Sequence, residues 1–95
     1  MFLGAYRFHG DPAELLAAYD RLGVDFPVET LDLHICVETG DGIVVLDACP
    51  SEAVFRAFST GPEFRGACQR AGLPEPVVEP IGDVREAWLR EALRR

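Results

Sequence analysis

Residues 30–49, TLDLHICVETGDGIVVLDAC, decide the fold. In the first half, Leu31, Leu33, Ile35 and Val37 share one parity, while Asp32, His34, Cys36 and Glu38 share the other. Successive strand side chains point to opposite faces, so residues 30–38 read as a strand with one apolar side. Thr39-Gly40-Asp41-Gly42 supplies a short turn. IVVLDAC, residues 43–49, opens with β-branched residues that suit a pleated, half-buried surface and reads as the next strand. The stretch therefore predicts an antiparallel hairpin.

Upstream, FLGAYRFH over residues 2–9 alternates as a first strand. Asp11 then has the character of an N-cap, Pro12 suits the first helical position and Glu14 fits a capping box. Leu15, Leu16, Tyr19 and Leu22 recur at helical spacing, and Gly23 is a natural stop through a left-handed backbone. Residues 24–29 are expected to link this helix to the hairpin.

Downstream, Ser51 is placed to cap a helix ending near residue 59, with Val54, Phe55 and Phe58 as its apolar face. Thr60-Gly61-Pro62 breaks the run. A second short helix carries Phe64, Ala67, Cys68 and Ala71 and ends at Gly72. VVEPI, residues 77–81, predicts a short fourth strand at an edge, because Pro80 has no N–H for a ladder. Asp83 and Glu86 then read as the start of a terminal helix with Val84, Trp88, Leu89, Ala92 and Leu93 on its apolar side.

The order strand, helix, strand, strand, broken helix, strand matches the ferredoxin-like βαββαβ plan of an α+β sandwich, in which strands one and three are central. Residues 1–95 form one domain, residues 2–81 its core and residues 83–95 a helical extension. Two crossovers cover one face of the sheet and leave the other bare, so a homodimer through sheet faces is expected.

Composition excludes several roles. Sixteen acidic against nine basic residues give a formal charge of −7, which opposes binding to a phosphate backbone, so no nucleic acid partner is expected. No apolar run approaches the length of a membrane span, and the opening residues lack the basic start and long apolar core of a secretory leader. No membrane association is expected, and the cytoplasm is the expected location. Cys36, Cys49 and Cys68 are odd in number and sit among apolar neighbours, which predicts reduced, buried thiols.

Two segments, LDLHICVETGDGIVVLDACPSEAVFRAF and FRGACQRAGLPEPVVEP, resemble the dimeric α+β barrel superfamily, which includes antibiotic-biosynthesis monooxygenase-like and stress-responsive domains. The first resembles its strand–hairpin–strand–helix unit, the second its later crossover and Gly-Leu-Pro return. The resemblance spans roughly residues 2–81. It implies a homodimer whose sheets form a barrel, and a cofactor-independent monooxygenase, cyclase or isomerase acting on a small aromatic or polyketide-like substrate. The asparagine–tryptophan–tyrosine set common in the monooxygenase-like members is not present as such: the chain has no asparagine, and its single tryptophan is Trp88.

His34 is the first candidate catalytic residue, because a neutral imidazole can take or give a proton near neutral pH. Asp32 lies two residues away on the same strand parity and is the expected carboxylate to orient it. Cys36 shares that wall. Tyr6 is expected between sheet and helices, where its hydroxyl would position an aromatic or carbonyl substrate, and Arg7 is a candidate to hold a carboxylate or enolate. Tyr19 reads first as part of the buried helical stripe, and Asp47 interrupts an apolar run. No CxxC, HxxxH, HExxH or glycine-rich phosphate motif occurs, so neither a metal nor a cofactor is predicted. The alternatives are a nonenzymatic binding or assembly protein, with Trp88 and Leu89 securing the terminal helix at an interface, and haem ligation by His34 or His9.

Overall fold

A computed structural model of the chain describes residues 1–24 and 31–90. The elements run β1 (Phe2–His9), α1 (Pro12–Leu22), β2 (Leu33–Thr39), β3 (Gly42–Cys49), α2 (Glu52–Thr60), α3 (Pro62–Ala71) and β4 (Val77–Asp83). The expected link over 24–29 and the first residue of the expected strand 30–38 fall largely outside the described residues.

Local chemistry sets the element ends. The Asp11 carboxylate accepts the Glu14 N–H at 3.0 Å, and Pro12 follows as the first residue of α1. Ser51 Oγ accepts the Val54 N–H at 3.2 Å to start α2. Each cap satisfies one of the orphan donors of a first turn. Gly72 ends α3 in a left-handed conformation at φ 89°, which a side chain would strain. Gly23 does not do the same for α1: its φ of −59° is right-handed, and its N–H bonds back to Tyr19 and Arg21.

The sheet has the order β2-β3-β1-β4, with every neighbouring pair antiparallel. This is a ferredoxin-like strand arrangement with β1 and β3 at the centre. The Gly40–Asp41 turn pairs Thr39 with Gly42, and that register continues to Leu33 opposite Ala48. Pro80 lies on the edge strand β4, near an irregularity where Ile81 is left out of the pairing between Leu3 and Gly4.

Two expectations are corrected. The sheet is open: β2 and β4 are its two edges and do not pair with each other, so the expected dimeric α+β barrel is not formed. The expected terminal helix is also absent over the described residues 84–90. Trp88 is 91% exposed there, and Leu89 is exposed beside it. A short amphipathic helix is marginal in water without a surface for its apolar side, and this segment finds none.

The helices cover one side of the sheet. Phe2, Tyr6 and Phe8 of β1 and Ile43, Val45 and Cys49 of β3 are buried in a common core with Leu15, Tyr19, Phe55 and Phe64 from the helices. Phe55 is the centre of this packing, with ring centroids 5.8 Å from Phe2 and 5.6 Å from Tyr6. Gly4 makes that possible: a Cβ there would lie 2.0 Å from the Phe55 ring. The apolar parity of β2 is on the other side. Ile35 and Val37 face away from the helices and are 40% and 41% exposed, while Cys36 packs against the core and His34 is largely enclosed.

Candidate functional site

A cavity of about 380 Å³ lies between the helices and the covered face of the sheet. Tyr6, Phe8, Val45, Asp47, Cys49 and His34 form its sheet wall. Tyr19 and Leu22 of α1, Val54 and Phe58 of α2, and Phe64 of α3 form its helical walls. Most of these groups are apolar. Val54 and Phe58 are also partly exposed, so apolar surface continues outward from the enclosed part of the pocket. A concave, mostly apolar space with a few convergent polar groups is the usual form of a small-molecule site.

The polar groups form a chain. His34 on β2 stands directly opposite Asp47 on β3 in the sheet register. Their side chains share the covered face, and His34 Nδ1 lies 2.6 Å from Asp47 Oδ1. The carboxylate accepts the Nδ1–H, which leaves Nε2 of the neutral ring as an acceptor. The Tyr19 hydroxyl, reaching down from α1, donates to that nitrogen. The phenol and imidazole rings are within 6° of parallel, with centroids 5.9 Å apart. The His34 and Asp47 side chains are only 19% and 10% exposed, so the pairing is shielded from bulk water. This shielding strengthens an aligned charge-assisted hydrogen bond and makes an unpaired group costly.

Tyr6 adds a fourth polar group to the wall. It is 2% exposed, and its hydroxyl has no hydrogen-bond partner among the described residues. Burial pushes its ionisation upward from the ordinary phenol value; the nearby Asp47, Cys49 and Cys68 add to the effect. Burial likewise pushes the Cys49 thiol upward, with Asp47 and Asp32 contributing, and raises the Cys68 thiol to about 11. These thiols are therefore poor nucleophiles near neutral pH.

The structure brings some sequence candidates together and separates others. His34 and Tyr6 line one cavity. Asp32 precedes β2 and is exposed; its backbone N–H donates to Ala48 O, and the carboxylate beside His34 belongs to Asp47. Arg7 lies on the open side of the sheet and pairs with Glu79 at the surface. His9 is exposed near Asp41 at the hairpin end. Neither is part of the cavity wall. Tyr19 reads from its helical spacing as packing, yet its hydroxyl is the third member of the polar chain. The signal for Asp47 lay in the turn: two residues between the strands place position 47 opposite position 34.

The haem alternative is not supported. Both ring nitrogens of His34 are hydrogen-bonded, and His9 stands on an exposed hairpin end. Among the described residues, no group of three or more His, Cys, Asp or Glu is placed to hold a metal ion. No helix among them is long and apolar enough to cross a membrane. In comparisons with known proteins, no family model matches the sequence and no curated protein matches it. With the sheet open and no such match, the resemblance no longer supports the monooxygenase, cyclase or isomerase activities it implied. The alternative of an assembly protein secured by a terminal helix loses its stated element as well.

Proposed function

We propose that the cavity is a proton-transfer site for a small, mostly apolar molecule held within a single chain. The observation that carries this reading is the Asp47–His34–Tyr19 chain on the wall of an apolar cavity. A molecule with an acidic C–H or O–H beside the Tyr19 oxygen gives its proton to that oxygen. Tyr19 passes its own proton to His34 Nε2. The imidazolium formed is stabilised by the Asp47 carboxylate on the other ring nitrogen, and the reverse steps return a proton to the bound molecule. The donor, acceptor and orienting group are then each within one hydrogen bond of the next, which is the geometry general acid–base catalysis requires.

Arg7 has no part in this reading, because its guanidinium is on the opposite side of the sheet. The test is hydrogen–deuterium exchange. Weakly acidic ketones and phenols are incubated with the protein in deuterated buffer, and loss of their exchangeable C–H signals is followed by NMR. The expected result is catalysed exchange for at least one compound, reduced about a hundredfold in His34→Gln with binding retained. Binding without exchange in the wild-type protein would overturn the proton-transfer step. Failure of all compounds to bind would overturn the pocket itself.

A further inference from the structure

Among the described residues, Tyr6 presents a buried hydroxyl with no partner, in a wall where His34, Asp47 and Tyr19 pair their polar groups. A phenylalanine would fill the same place between Phe55 and Phe64, whose ring centroids lie 5.6 and 5.0 Å from that of Tyr6. It would do so without an unsatisfied donor, and buried polar groups in native proteins are nearly always bonded. The lone hydroxyl therefore weakens the empty protein and becomes useful when something in the cavity accepts its hydrogen.

We propose that the molecule bound in this cavity carries a hydrogen-bond acceptor oxygen, of carbonyl type, and that Tyr6 is the residue that selects for it. This inference rests on the proton-transfer reading of the same cavity and adds the chemical class of its ligand. Tyr6 suits the role of a donor because it stays protonated: burial and the carboxylate of Asp47 both oppose its ionisation. Tyr6 pairs with Val45 on β3, whereas Asp47 and His34 occupy the next inward-facing row of the sheet. One ligand therefore meets a fixed donor at Tyr6 and an exchangeable proton at Tyr19–His34. A ketone with acidic hydrogens next to its carbonyl carbon has both features.

The probes are matched pairs differing only in the carbonyl: 2-acetylnaphthalene with 2-ethylnaphthalene, and cyclohexyl methyl ketone with ethylcyclohexane. Affinities are measured for the wild-type protein, Tyr6→Phe and His34→Gln, and thermal unfolding is measured without ligand. The wild-type protein is expected to prefer a ketone over its hydrocarbon by about tenfold, a preference Tyr6→Phe removes and His34→Gln keeps. Ligand-free Tyr6→Phe is expected to melt no lower than wild type, which a tyrosine bonded for structural reasons would not allow. Equal wild-type affinity for the members of every bound pair would overturn the role of Tyr6 while leaving the pocket intact. A preference that survives Tyr6→Phe would do the same. Binding of neither member of either pair would overturn this inference, and catalysed exchange in the deuterium experiment would show that the proton-transfer reading had not fallen with it.

Discussion

On β2, burial runs opposite to the sequence pattern, whereas β1 and β3 bury their aromatic and β-branched parities on the covered face. The open face carries the regular apolar positions of β2, Ile35 and Val37, which remain partly exposed. The covered face carries His34, Asp47 and Tyr6, and encloses them among aromatic rings. Apolar alternation establishes that a segment is a strand, but the crossovers decide which side is buried. A face with polar groups can be the interior when those groups find each other. A polar residue on the inner face is then a marker of a site, because exposure would have been the cheaper arrangement.

The contrast can be broken or sharpened by substitutions on either side. The largest effect is expected at Gly4. Gly4→Ala drives a methyl group into Phe55, which Phe2 and Tyr6 hold in place, and should destabilise the protein by about 3 kcal/mol in urea unfolding. A loss under about 0.5 kcal/mol would mean that the covered side yields as readily as the open one. Asp47→Ala comes next, because it leaves the enclosed His34 Nδ1–H without its acceptor. A cost of about 2 kcal/mol is expected, and a neutral result would remove the case for a constrained polar chain.

A smaller effect is expected from alkaline titration of Cys68. Its thiol ionises near 9 when unfolded and near 11 in the folded protein, so the folded state retains its proton over a range where the unfolded state loses it. The resulting contribution is fully present below pH 9 and is lost as pH rises from about 9 to 11. A Cys68→Ala variant should show a shallower decline in stability across that window, measured by urea unfolding at successive pH values. The smallest effect belongs to the open face. Ile35→Thr should change stability by no more than about 0.5 kcal/mol. A larger, concentration-dependent loss would show that another molecule covers this face in solution.

Much of the fold was legible because its local signals agree. Asp11-Pro12 and Ser51 start helices, Gly72 ends one, and Thr39-Gly40-Asp41-Gly42 joins two strands, each for a reason contained in a few residues. The order of strands followed from their alternation with helices. The burial side of β2 was not legible, because it depends on where α1 and the later helices settle. Over the described residues 84–90 the expected helix does not form for a related reason: Trp88 and Leu89 have helical periodicity but are exposed rather than packed. For the site, His34 stood out by residue type and parity. Strand parity points to the Asp32 carboxylate two residues along, whereas the partner lies across the ladder at Asp47. Tyr19 was hidden because one side chain serves both the core, through its ring, and the polar chain, through its hydroxyl.

The two-residue turn at Gly40–Asp41 has a consequence well away from itself. It sets which rung of the hairpin ladder holds His34, and on that rung the opposite residue is Asp47. One added residue in the turn, carried through the ladder as a slip, would present Asp47's neighbours to the imidazole and send the carboxylate to the wrong side. The loop acts as a ruler for the chemistry: its length, more than the identity of its residues, keeps a proton donor and its acceptor in step.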